Sequence, residues 1–234
     1  MTTPVDDIQP PPINPRYPYP KLERETREDG VRHYVDPEGH ALPSVTTILS
    51  ATADKAFLKE WEARVGTEKA NRIREEATNI GTLMHESLEC FLEKRERPRG
   101  NNLIRTISRN MANVIIAKGL PGIDEIWGVE SALYYPGLFA GTSDVIGVYE
   151  GEPAIMDFKT AKKMRTPEMI WDYAQQLSAY ALCHDEMFGT TIKKGVIFMV
   201  TRELDYKTFI FEKEEFEKAT EEFLERCSKF FAQG

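Results

Sequence analysis

The apolar patterns along this 234-residue chain predict an α/β (α+β) fold: a mixed β-sheet core flanked by helices, with a helical segment before it. Helical spacing dominates residues 54–118. Short apolar runs punctuated by turn residues dominate 126–159. A helix, two strands and a final helix then follow from residue 168. The chain is 41% hydrophobic, enough to fill a sizeable core. No run approaches the roughly 18 apolar residues of a membrane span. The opening MTTPVDDIQP lacks a basic-plus-apolar leader, so a cytoplasmic location is expected.

Residues 1–23 read as a Pro-rich extended tail, since seven of the fourteen prolines fall before residue 21. A hairpin and a helical arch or wall follow over 24–120. Asp29-Gly30 and Pro37-Glu38-Gly39 are turn signals around a strand at 31–35. Ser44 is placed to cap a short helix. Phe57, Leu58, Trp61 and Val65 form one apolar stripe. Thr67 is the expected N-cap of the next helix, and Gly81-Thr82 the expected break before a further one. That one carries Leu83, Met84, Leu88, Phe91 and Leu92 inward. A helix over 102–118 ends at Gly119 and Pro121.

The sheet core spans 121–234. Strands are expected at 126–135, 138–149, 152–159, 195–201 and 206–212. Helices are expected at 168–188 and 213–231, the latter with Phe216, Phe223, Leu224 and Phe230 on its apolar face. The whole reads as one compact unit.

The chemistry concentrates in the second and third core strands. If Glu150-Gly151 is a two-residue hairpin loop, Tyr149 pairs with Glu152. Counting back along the hairpin then sets Asp144 opposite Asp157. Lys159 shares the face of Asp157. Val145, Ile146, Val148, Ala154, Ile155, Met156 and Phe158 make both faces apolar. Two adjacent carboxylates in such surroundings repel, and each is costly to bury. A divalent cation between them, with Lys159 alongside, resolves both problems. Hard carboxylate oxygens suit Mg²⁺ or Mn²⁺, the ions of metal-assisted phosphodiester hydrolysis. Lys159 then positions or deprotonates the attacking water, or stabilises transition-state charge.

Further polar residues accompany this set. His85 lies in Gly81-Thr-Leu-Met-His85 on a helix. Gln176 and Tyr180 share a helix face at i, i+4. Glu130 is a candidate extra acid: a two-residue Pro136-Gly137 turn sets Val129 opposite Asp144, whereas a bulge or a three-residue loop brings Glu130 there instead.

Gly81-x-x-x-His85, Gly141-x-x-Asp144, Asp157-x-Lys159 and Gln176-x-x-x-Tyr180 occur in that order. Together they resemble the RecB-type branch of the PD-(D/E)XK nuclease superfamily across residues 81–180. The segment Leu42-Pro-Ser-Val-Thr-Thr-Ile-Leu-Ser further resembles the mitochondrial genome maintenance exonuclease family and its phage-encoded relatives. The resemblance implies a restriction-endonuclease-like core and a Mg²⁺-dependent deoxyribonuclease. It implies that Asp144, Asp157, the main-chain carbonyl of Phe158 and His85 hold the metal, with Lys159 catalytic and Glu130 an added acid. It implies that Gln176 and Tyr180 orient the site or touch the DNA strand, and that Thr160 follows the lysine as in relatives. A role in DNA recombination, repair or degradation in a phage setting, hence in the host cytoplasm, is the corresponding expectation.

Three scattered cysteines (Cys90, Cys183 and Cys227) exclude a self-contained four-cysteine iron–sulfur cluster. A net charge of −8 excludes DNA coating by bulk electrostatics but permits a local basic groove. Lys162, Lys163 and Arg165 follow the catalytic strand and are candidate phosphate contacts. Arg72, Arg74, Arg105 and Arg109 are candidates on the helical segment, and Trp61, Tyr134 and Tyr135 are candidate base-stacking residues. The expected partner is DNA, single-stranded or with free ends, read without sequence preference. Rival readings are an exonuclease digesting duplex DNA from a 5′ end, a structure-specific endonuclease, and a non-catalytic nucleic-acid-binding protein of the same fold.

Overall fold

The computed structural model describes residues 5–26 and 32–232. A small antiparallel sheet comes first, from β1 (Glu23–Thr26), β2 (Arg32–Val35) and β3 (Ala41–Pro43). The expected hairpin is therefore part of a three-stranded sheet; its Asp29-Gly30 turn lies outside the described residues. At the second turn the buried Asp36 carboxylate accepts the N–H groups of Glu38 and His40, and Gly39 takes a positive φ of 88°.

Helix α1 (Val45–Thr52) is capped by Ser44, whose hydroxyl accepts from the Thr47 N–H at 3.0 Å. Helix α2 (Ala56–Val65) differs from expectation in burying none of its residues, and Phe57 is 73% exposed. Its apolar stripe has only the first turns of α3 (Thr67–Leu92) to meet. Gly66 rather than Thr67 is the N-cap of α3, and Thr67 is its first helical residue. Helix α3 also runs unbroken through Gly81-Thr82. Ile80, Met84, Leu88 and Leu92 recur at four-residue spacing and are all buried, which outweighs the roughly 1 kcal/mol that a mid-helix glycine costs. Helix α4 (Leu103–Lys118) packs against α3, with Asn102 as its N-cap.

The core sheet has the order β4 (Ile123–Tyr135), β5 (Phe139–Tyr149), β6 (Glu152–Ala161), β7 (Lys194–Thr201) and β8 (Tyr206–Glu212). Only β6 and β7 pair in parallel, because α5 (Trp171–Phe188) crosses between them. Helix α6 (Lys213–Phe231) closes the described chain, burying Phe216 and Phe223 but leaving Leu224 42% exposed. One sheet face packs on α1, α5 and α6, through Ile146, Ile155 and Ile197. The other packs on α3 and α4, through Val145, Met156, Phe158 and Phe198. Asp157 and Lys159 alternate with Met156 and Phe158, so they project toward α5.

The Pro-rich segment opens its described part with a 3-10 turn at Val5–Asp7, against the expectation of a wholly extended tail, and is held against the sheet beyond it. Ile126 donates its N–H to the Pro12 carbonyl at 2.9 Å, and Asn14 returns a bond to the Ile126 carbonyl at 2.7 Å. Arg16 pairs with Glu125 at 2.6 Å, and Tyr17 and Tyr19 pack on the core. Among the described residues no helix is long and apolar enough to cross a membrane.

Candidate metal and nucleic-acid site

Pairing between β5 and β6 follows the expected register and stops at Val145↔Met156. Asp144 and Asp157 occupy the next step, where the strands are no longer bonded to each other. The opening lets α3, on the opposite face, deliver His85. Asp144 Oδ2 accepts the Phe158 N–H at 2.8 Å and lies 3.3 Å from His85 Nδ1.

Glu130 joins this group because residues 136–138 form a three-residue loop. Tyr135 pairs with Phe139, one step beyond the register a two-residue Pro136-Gly137 turn would give. Ser131↔Ser143 and Val129↔Val145 then flank Glu130 and Asp144, which stand opposite each other. Glu130 takes a left-handed φ of 45°, a strained conformation of the kind that gathers at functional sites. Ligand atoms of His85, Glu130 and Asp144 all lie within 4.8 Å of one another.

Asp157 is 3% exposed and Lys159 Nζ lies 2.6 Å from its Oδ2. The Lys159 ammonium is the partner beside this buried oxygen. Lys159 Nζ also reaches Gln176 Oε1 at 3.3 Å and sits 4.7 Å above the Tyr173 ring. Gln176 donates in turn to the Tyr180 hydroxyl at 3.1 Å. The Tyr180 ring lies against Gly141, where any Cβ would come within 2.5 Å of it. The glycine of the Gly141-x-x-Asp144 segment thus makes room for the tyrosine of the Gln176-x-x-x-Tyr180 segment.

The electrostatics reflect crowding. Burial alone would push the His85 imidazole down, but Asp144 and Asp157 carry it up to about 9. Burial would raise Asp144; His85 and Lys159 overcome it and hold the carboxyl low. Asp157 goes the other way, pushed up to about 6 by burial and then by the Asp144 charge. Glu130 is pushed up to about 7 by burial and by Asp144. Lys159 stays above its ordinary value despite burial, held charged by Asp157 and Asp144.

The carboxylates of Glu130 and Asp144 and the imidazole of His85, with the buried Asp157 carboxylate in the same cavity, fit a hard divalent cation. Phe158 contributes its N–H to Asp144 and its ring, 6.0 Å from that of His85. The other expected contacts sit on the surrounding elements. Thr160 faces Gly81, while Lys162 and Lys163 are exposed just beyond β6. Arg72 is paired with Glu68, Arg74 pairs with Glu62 and covers Trp61, and Tyr135 stacks on Phe139.

The same cavity, about 470 Å³, is also lined by Arg24, Glu86 and Glu89, none of which the motifs single out. Glu89 was traceable as the i+4 neighbour of His85. Arg24 gave no signal, because its four-residue strand has no apolar alternation.

No protein-family model matches the chain. No curated protein matches it either. Among solved structures, a candidate exonuclease from Eubacterium rectale aligns at 12% identity and a TM-score of 0.49, over 66% of this chain and 66% of that one. An alkaline exonuclease from Laribacter hongkongensis aligns at 14% identity and a TM-score of 0.35, over 65% of this chain and 78% of that one. A Vibrio cholerae protein aligns at 12% identity and a TM-score of 0.24, over 77% of this chain and 60% of that one.

Proposed function

We propose that this chain is a divalent-metal-dependent deoxyribonuclease of the RecB-like type. It acts as an exonuclease on single-stranded or flap DNA ends, without sequence specificity. The observation that carries the reading is the meeting of Asp144, Asp157, Lys159, His85 and Glu130 where β5 and β6 part.

Asp144, Asp157, Glu130 and His85 would hold Mg²⁺ or Mn²⁺, with the Phe158 carbonyl as a further oxygen. When bound, such an ion supplies charge neutralisation at the scissile phosphate and an acidified water. The remaining work falls to the chain. Lys159 is an ammonium at neutral pH, steadied by Asp157 and Gln176, and it offers positive charge and N–H donors to the pentacoordinate phosphate. Gln176 fixes that ammonium and is itself fixed by Tyr180. Lys162 and Lys163 are open to phosphates beyond the site.

Helix α2 and the first half of α3 stand clear of the core, as a wall that admits a single strand or a frayed end. A digestion time course tests the reading, using 5′- and 3′-labelled linear strands and circular single strands with Mg²⁺ or Mn²⁺. Linear strands are expected to shorten from an end and to persist in EDTA. Efficient cutting of the circle would replace the exonuclease with an endonuclease. No cleavage with either ion would remove the enzyme altogether.

A further inference from the structure

The register of the small sheet sets Arg24 opposite Tyr34, and Tyr34 opposite Leu42. Cross-strand partners share a face. Tyr34 and Leu42 bury that face against Ala140, and the Tyr34 hydroxyl lies 3.2 Å from Thr142 Oγ1. Arg24 is therefore held over the body of the protein, on the outermost strand of a sheet pinned to β5.

There it lines two cavities. One is the catalytic cavity. The other, about 430 Å³, is lined by Tyr19, Pro20 and Lys21, and shares Arg24, Tyr34, Glu130 and Thr142 with the first. The two cavities adjoin at these shared residues, with Arg24 and Glu130 lining both.

Charge makes the position informative. The catalytic cavity is lined by Glu86, Glu89, Glu130, Asp144 and Asp157. Lys159 is engaged by Asp157, and His85 by Asp144. Among the described residues, no carboxylate pairs with Arg24. A polyanionic strand entering so acidic a cavity needs a cation that the carboxylates have not already taken, and a guanidinium suits a phosphate through paired N–H donors.

We propose that Arg24 binds a backbone phosphate of the substrate strand adjacent to the scissile one, and that the strand runs from the carboxylates past Arg24 into the cavity of Tyr19, Pro20 and Lys21. The proposal rests on the nuclease reading above and gives that reading a substrate path. Arg24 touches substrate and takes no part in bond breaking.

The test measures binding and turnover separately. Binding of a fluorescent single-stranded oligonucleotide in EDTA is followed across a salt series. Cleavage of the same strand with Mg²⁺ gives kcat and KM. Arg24→Ala should weaken binding about tenfold. It should flatten the slope of log affinity against log salt by about 0.7, the value of one lost phosphate contact on a single strand. KM should rise while kcat stays near wild type. Arg24→Lys should restore the salt slope and part of the affinity. Lys229→Ala, on the exposed end of α6, should match wild type.

Wild-type binding and an unchanged slope in Arg24→Ala, with an active parent enzyme, would overturn the proposal and leave the nuclease reading standing. A fall in kcat with unchanged KM and slope would likewise overturn it. A parent that neither binds nor cuts the strand would overturn both.

Discussion

His85 and His184 have opposite fates. His184 is fully buried, ringed by Tyr17, Tyr19, Trp127 and Phe188, and its imidazole is pushed down to about 4. His85 keeps 29% of its side chain exposed, touches the Phe158 ring, and is carried up to about 9. Burial lowers both. Only His85 has carboxylates facing it. At His184 the polar groups form a relay. Thr190 donates to Asp185, so Thr190 accepts from His184 Nδ1, and Nε2 accepts from the Tyr19 hydroxyl. The relay ends on the Asp185 carboxylate, which also accepts the Ile192 N–H, so each of these polar groups has a partner. In the carboxylate cluster the buried Asp157 oxygen has the Lys159 ammonium beside it. The His184 region is built for stability, while the carboxylate cluster gathers more negative charge than Lys159 and His85 offset.

The charged end is where single changes have the largest effect. Lys159→Ala is expected to slow cleavage by about 10²–10³-fold, the usual cost of losing one donor to a developing oxyanion. Asp157→Ala is expected to abolish measurable cleavage. Both variants should keep the wild-type circular dichroism spectrum. Retained cleavage in clean Asp157→Ala protein would show that the two ends do not differ in kind. His85→Ala should weaken Mn²⁺ binding by about 10–100-fold, read by calorimetry. An unchanged Mn²⁺ affinity would leave His85 as a partner of Asp144 and not a ligand.

Legibility in the sequence followed the same divide. The hairpin that aligns Asp144 with Asp157 was readable because its two-residue loop fixes the register for every pair behind it. Glu130 turned on a single residue of loop length, which propensity does not decide. The continuity of α3 through Gly81 was hidden because burial of Ile80 and Met84 is a tertiary effect that overrides a local break signal. The His184 relay was illegible. Tyr19 and His184 are 165 positions apart, and nothing in a proline-rich stretch tells which core element it will cover.

The relay end should respond to pH in a direction set by its depressed imidazole. Folded His184 holds its proton less tightly, at about 4, than the unfolded value of about 6.5. As the pH falls through 6.5 the unfolded chain gains the proton first. Stability is therefore full above about 6.5 and drains until about 4. The loss between pH 7 and 4.5 is about 2 kcal/mol from this group. Other groups titrate over the same range, so the measurement is a difference. His184→Gln keeps an amide donor and acceptor but cannot titrate, and urea unfolding of the two proteins should converge as the pH is lowered. Parallel curves would mean that His184 charges in the folded protein as readily as in the unfolded chain.

The smallest expected change is at the far end of the relay. Tyr19→Phe keeps the ring, with its packing on His184 and Phe188, and removes only the hydroxyl. The loss should be about 1 kcal/mol at pH 7, read as a lower urea midpoint with an unchanged slope. Without that donor on Nε2 the neutral imidazole loses part of its advantage, so the acid drop of the variant should be shallower than that of wild type. A midpoint equal to wild type would mean that the Pro-rich segment is held by its backbone bonds to Ile126 and the Arg16–Glu125 pair, with the hydroxyl adding nothing.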